Sequence, residues 1–167
     1  VNTWIYVIAT DTVLGCTYMY SIYVKSCCTS DTAGILLYND SASSSISPND
    51  TLLFSQHFNV NGTFVVDINL ICAQCKFSMG PNAKIIVTGG HTLTLSKCSL
   101  KAGCCEMWDG IEITDTINKV YMDGCYLGDA IRGVVSNNGG KFRIYGGGSV
   151  FNRNLVSVTV NPYAGNH

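Results

Sequence analysis

The sequence predicts an all-β protein: a parallel β-solenoid of about four to five coils preceded by an N-terminal β region. Three observations lead to it. Charged residues are only 13% of the 167-residue chain and apolar residues 47%, with 17 glycines, a balance that favours strands and turns. No segment carries a 3.6-residue apolar period, so no helix is expected. A short pattern, apolar-x-apolar-x-x-Cys-x-apolar, returns at steps far too short for separate domains.

The copies align residue for residue. Leu70-Ile71-Cys72-Ala73-Gln74-Cys75-Lys76-Phe77 matches Leu93-Thr94-Leu95-Ser96-Lys97-Cys98-Ser99-Leu100 and Val120-Tyr121-Met122-Asp123-Gly124-Cys125-Tyr126-Leu127. Phe142-Arg143-Ile144-Tyr145-Gly146-Gly147 is a fourth copy with glycine in the cysteine position. The steps from Leu70 to Leu93, Val120 and Phe142 are 23, 27 and 22 residues. A short aliphatic strand precedes each copy: Phe64-Val65-Val66, Ile85-Ile86-Val87, Ile111-Glu112-Ile113 and Val134-Val135. One coil cannot bury its own apolar residues, so coils stack like on like. Leu93, Val120 and Phe142 are expected to form one interior ladder, and Cys75, Cys98 and Cys125 another at a turn. An antiparallel sandwich also has frequent strands but predicts no register between distant segments.

In chain order, residues 1–58 form the N-terminal β region. Trp4-Ile5-Tyr6-Val7-Ile8 reads as a strand, and Tyr18 to Val24 as another. Gly34 to Tyr38 is a third. Asn39 to Asp50, with five serines and Pro48, is a polar linker, and Thr51 to Phe54 resumes the strand pattern. Residues 59–167 form the solenoid, and Leu93 to Ile113 holds one coil. The ends of a solenoid carry unpaired backbone groups. Trp4, Ile5, Tyr6, Val7 and Ile8 are therefore candidates for a strand donated to another copy, a head-to-tail contact that does not close and gives a filament. Pairing of this strand within its own domain is the competing expectation.

The formal net charge of −1 gives no electrostatic footprint for nucleic acid. No apolar run reaches the ~18 residues of a membrane span. The chain begins at Val1, and any signal peptide is taken as already removed. Nine cysteines suggest an oxidising compartment: Cys16, Cys27, Cys28, Cys72, Cys75, Cys98, Cys104, Cys105 and Cys125 are all disulfide candidates. Cys98 with Cys104 or Cys105 is the first expected pair, and Cys16 with Cys27 or Cys28 the next. Cys72-x-x-Cys75 is the sole CxxC, and His57, His91 and His167 are scattered, so neither metal nor cofactor is expected.

Catalysis on such a scaffold needs clustered carboxylates with a cation nearby. Asp109, Glu112 and Asp123, with Arg132 or Lys119, are the residues that might share a face. Asp109 and Asp123 precede glycine and read better as turn residues, so the chain is expected not to be an enzyme. Trp108 reads as a packing residue rather than a sugar platform. Tyr18, Tyr20 and Tyr23 alternate faces, which leaves a tyrosine row as a possible polysaccharide contact.

Cys98-Ser99-Leu100, Cys105 to Ile111, Leu127 to Ile131 and Phe151 to Val158 resemble the right-handed parallel β-helix segments of secreted Bacteroidota surface proteins exported by the type IX system. The resemblance spans about residues 59–160, is loose over 1–58, and implies a fold and a cell-surface or extracellular address. Five of the nine aspartates open an Asp-Ser/Thr-aliphatic triplet. This resembles the O-glycosylation motif of such proteins and would put covalent glycans on Thr12, Thr32, Ser41, Thr51 and Thr116. Turn chemistry is the other reading of these triplets. Asn-x-Ser/Thr sequons occur at Asn39, Asn49 and Asn61. The expected function is a structural subunit of an extracellular or cell-surface filament or adhesin, hence a homo-oligomer. A carbohydrate-binding module of a larger surface protein is the alternative, and a polysaccharide lyase or hydrolase the third.

Overall fold

Three strands, not two, make each turn of the chain. The computed structural model describes residues 3–10, 15, 17–24, 34–46 and 51–162. Its elements are β1 (Thr3–Thr10), β2 (Thr17–Val24), β3 (Ile35–Ser41), α1 (Ala42–Ser45), β4 (Leu52–Phe54), β5 (His57–Val66), β6 (Leu70–Ala73), β7 (Lys76–Met79) and β8 (Lys84–Val87). They continue with β9 (Thr92–Ser96), β10 (Ser99–Ala102), β11 (Gly110–Ile113), β12 (Lys119–Asp123), β13 (Tyr126–Gly128), β14 (Arg132–Ser136), β15 (Lys141–Tyr145), β16 (Val150–Asn152) and β17 (Val156–Val160). From β3 onward they stack as a parallel β-solenoid of about five turns.

The strands fall into three columns. The first half of β5 begins the column β7, β10, β13, β16, and its second half begins β8, β11, β14, β17. The third column runs β4, β6, β9, β12, β15. Its pairing is parallel and in register: Leu70 opposes Leu93, Leu93 opposes Val120, and Val120 opposes Phe142. That is the ladder read from the repeats. Leu70, Leu93 and Val120 are each at most 1% exposed. Alternation within strands puts every second side chain on this interior.

The third strand per turn comes from a bend inside the repeated octet. Ser55, Gln74, Lys97, Gly124 and Gly146 occupy equivalent positions, all with positive φ (53°, 57°, 53°, 58° and 73°). This left-handed residue turns the chain from the third column into the first. Non-glycine residues pay ~1–2 kcal/mol there. The bend is held by hydrogen bonds between turns: Ser55 N–H donates to Ala73 O at 2.9 Å, Gln74 to Ser96 at 2.8 Å, and Lys97 to Asp123 at 2.7 Å.

The ladder begins earlier than residue 59. β3 pairs in parallel with both halves of β5, and β4 pairs with β6, so residues 35–54 supply the first turn. They lack the cysteine octet, which is why the alignment misses them. The polar linker contains α1, whose Ala42 is fully buried. Asp67, on the β5–β6 corner of the next turn, accepts hydrogen bonds from Ser43 N–H at 2.8 Å and Ser43 Oγ at 2.5 Å. Burial would raise the Asp67 carboxyl, but these hydrogen bonds outweigh it and hold it below 3.8. A folded-state value below the unfolded one stabilises above the unfolded value and is lost as pH falls through the folded one. Protection of the Ile46 amide, which donates to Ala42 O, is therefore expected to fall as pH drops through that lowered value. In Asp67→Ala it should be weaker already at neutral pH. Unchanged protection in that variant would remove Asp67 from the account.

The candidate donor strand is already paired. Trp4, Ile5, Tyr6, Val7 and Ile8 lie in β1, antiparallel to β2, opposite Tyr23, Ile22, Ser21, Tyr20 and Met19. Tyr6, Ile8, Met19 and Tyr20 are 60–68% exposed on this pair of strands.

Candidate functional site

Of the carboxylates expected to share a face, Asp109 and Glu112 do so. With Lys84 and Arg132 they line a cavity of about 30 Å³ on the β8–β11–β14 column. Lys84 Nζ lies 3.9 Å from Glu112 Oε2. Such a cavity holds one water. Asp123 and Lys119 sit on β12, in the other sheet, so the wider cluster does not assemble. The offset between columns, invisible in the linear spacing, separates them.

Trp108 is fully buried, and its Nε1 donates to Gly128 O at 2.8 Å. It bridges the turn before β11 to Ala130 before β14, and cannot stack on a sugar. Tyr20 is exposed, whereas the side chains of Tyr18 and Tyr23 lie outside the described residues.

The cysteine column stands where the repeats put it, but as thiols. Cys72, Cys75, Cys98 and Cys125 are free and buried. The expected bridge from Cys98 to Cys104 or Cys105 is therefore not formed. Cys98 points into the core, while Cys104 is half-buried and Cys105 exposed on the β10–β11 corner. Each column thiol instead donates to the carbonyl of the preceding turn: Cys75 to Leu53 at 3.5 Å, Cys98 to Cys72 at 3.2 Å, and Cys125 to Leu95 at 3.3 Å. Cys16, Cys27 and Cys28 lie outside the described residues. Among the described residues no group of three or more His, Cys, Asp or Glu is placed to hold a metal ion.

The hydroxyls of the Asp-Ser/Thr triplets differ in setting. Thr116 is exposed on a turn where Asp115 Oδ1 accepts from Ile117 N–H at 3.0 Å, and Thr51 is exposed ahead of β4. Ser41 is half-buried, its Oγ within 3.2 Å of Ser43 Oγ and 3.0 Å of Ser44 Oγ. Thr12 and Thr32 lie outside the described residues, as does the sequon Asn49. Asn39 Oδ1 accepts from Thr63 N–H at 2.9 Å, and Asn61 is half-buried.

Among the described residues, the C-terminal end of the stack exposes apolar side chains. β15, β16 and β17 are the terminal strands of their columns, each paired on one side only. Their inward positions continue buried ladders without being buried. Met122 is fully buried, but Ile144 opposite it is 44% exposed; Val134 is fully buried, but Val158 opposite it is 39% exposed. Val160, in register with buried Ser136, is 68% exposed. Phe142 and Phe151 meet edge to face, centroids 6.4 Å apart, and are half-buried. At the opposite end Ile35, Leu36, Tyr38, Leu52 and Phe54 are 44–70% exposed on β3 and β4. The alternation of the last repeat was visible in the sequence, but the exposure of its inward residues needed the stack. Comparison with family models, curated proteins and solved structures found no match.

Proposed function

We propose that this chain is a non-catalytic structural subunit of an extracellular or cell-surface assembly, in which copies stack end to end through their solenoid ends. One observation carries the reading: the exposed inward ladder of Ile144, Val158 and Val160 over three strand edges that no described strand pairs. The two ends carry corresponding columns. β3 lies along both halves of β5, heading the first two columns, and β4 heads the third; β16, β17 and β15 close the same three. All pairing from β3 to β17 is parallel, so a second copy translated along the axis continues every column: β16 and β17 onto β3, and β15 onto β4. Such a contact is heterologous and open, and extends to a filament. Burial of ladder residues supplies the attraction, and backbone pairing the register.

The extracellular address rests on the resemblance of residues 59–160 to secreted surface proteins and on the exposed Thr51 and Thr116, where glycans would project without entering the stack. The carbohydrate-binding alternative loses Trp108 as its platform.

Concentrated protein is expected to give length-heterogeneous rods by electron microscopy and a concentration-dependent sedimentation coefficient. Val158→Lys with Ile144→Lys should return it to monomer, because two ammonium groups would have to be desolvated at each junction. A sharp wild-type monomer at millimolar concentration overturns the reading.

A further inference from the structure

The interior corner between the third and first columns concentrates four thiols that packing alone does not require. Cys72 sits on β6, and Cys75, Cys98 and Cys125 follow the left-handed residue of three successive turns. Cys98 and Cys125 immediately precede Ser99 and Tyr126, which are partners in the ladder, and Tyr126 N–H donates to Cys98 O at 2.8 Å. Adjacent parallel strands lie ~4.8 Å apart. That is inside the Cα range of ~4.4–6.8 Å that a disulfide spans.

The corner is also one residue thick. Cys98 is covered by exposed Lys97, and Cys125 by half-buried Gly124. Cys98 and Cys125 are 2% and 1% exposed, so a peroxide reaches the sulfurs only as the corner opens. The thiols divide into two hydrogen-bonded pairs. The bond from Cys72 leads in lowering Cys75 to about 6, and Cys72 is held up by the same bond and by burial. Likewise the bond from Cys98 leads in lowering Cys125 to about 7, while that bond and burial hold Cys98 up. Cys125 is thus the sulfur of the pair that is held lower, while Cys98 keeps its proton.

We infer that the Cys98–Cys125 pair is an oxidation site, at which a peroxide joins two adjacent solenoid turns by a disulfide. The Cys125 thiolate attacks one peroxide oxygen, breaking the O–O bond to give a sulfenic acid and hydroxide. Cys98 then attacks that sulfur; its proton and the sulfenic hydroxyl leave as water as the S–S bond forms. Over both steps two thiols lose two protons and two electrons, and one hydrogen peroxide becomes two waters. The bond closes a loop of one full turn and resists separation of the strands it joins.

The experiment uses the native chain, treated with hydrogen peroxide. It is quenched by N-ethylmaleimide in denaturant and mapped by mass spectrometry without reduction. A peptide linking Cys98 to Cys125 is expected, with a thermal midpoint raised by roughly 5–10 °C and restored by dithiothreitol. Cys98→Ser, whose hydroxyl can still donate to Cys72 O, should lose the link and the rise and hold Cys125 at the sulfenic stage, trapped by dimedone. Maleimide on both Cys98 and Cys125 after peroxide treatment of the native chain overturns the inference. So does a link that joins Cys98 or Cys125 to any other cysteine.

Discussion

Gly110→Ala is expected to destabilise the fold by more than about 3 kcal/mol, the largest effect of any single methyl group added to this chain. Two causes act together. Gly110 has φ +111°, a conformation that side chains rarely adopt. A Cβ there would also collide with the Arg132 carbonyl of the next turn, with Gly133 O at 3.0 Å. That obstacle is backbone in the middle of a ladder, so nothing flexible can move aside. Relief requires β11 and β14 to separate, which breaks the pairing of Ile111 with Val134 and opens the second column at its centre. Gly147→Ala is the control. Nothing lies within 4 Å of its Cβ, and the change should stay within about 0.5 kcal/mol. Urea unfolding followed by circular dichroism measures both, and equal midpoints for the two variants would refute the strand-contact explanation.

Trp108→Ala should cost about 3–5 kcal/mol, through a cavity where the largest fully buried side chain stood. At this chain length each kcal/mol moves the thermal midpoint by roughly 2–4 °C, so the scan should fall by roughly 6 °C or more. Trp108→Phe separates the contributions. It keeps most of the apolar volume but leaves the Gly128 carbonyl without the Nε1 donor, a loss of about 1–3 kcal/mol. If alanine and phenylalanine variants melt together, the hydrogen bond rather than the volume dominates. If phenylalanine melts with the wild type, packing alone accounts for the residue. Trp108 and Gly110 serve the same corner, so their double variant should fall short of the sum.

Both positions show how far the linear chain could be read. Met107-Trp108-Asp109-Gly110-Ile111 was legible as the entry to a strand, and Trp108 as packing, because a lone aromatic beside an aliphatic strand belongs to a core. That Gly110 faces a carbonyl 22 residues away was not legible. Glycine before a strand reads as a turn wherever it stands, and only the stacked neighbour gives it a steric reason. The same distinction separates Asp109 and Glu112, which share a cavity wall, from Asp123, which the column offset carries to another sheet. The cysteines divide similarly. Their period revealed the column, but the inward orientation that leaves Cys98 a thiol depends on the left-handed bend at Lys97.

By itself the sequence determined the parallel stack, its register and its interior ladders. Identical apolar spacing in successive copies has one way to be buried, which is against itself one turn later. Tertiary structure alone decided which described strands join the stack. β3 and β4 join without the repeat's signature, because a first turn need match only the strands above it. The hairpin closes β1 on β2, because a local partner takes the strand first. Ile144, Val158 and Val160 are written like core residues, yet among the described residues they are exposed, because none of these stacks against them.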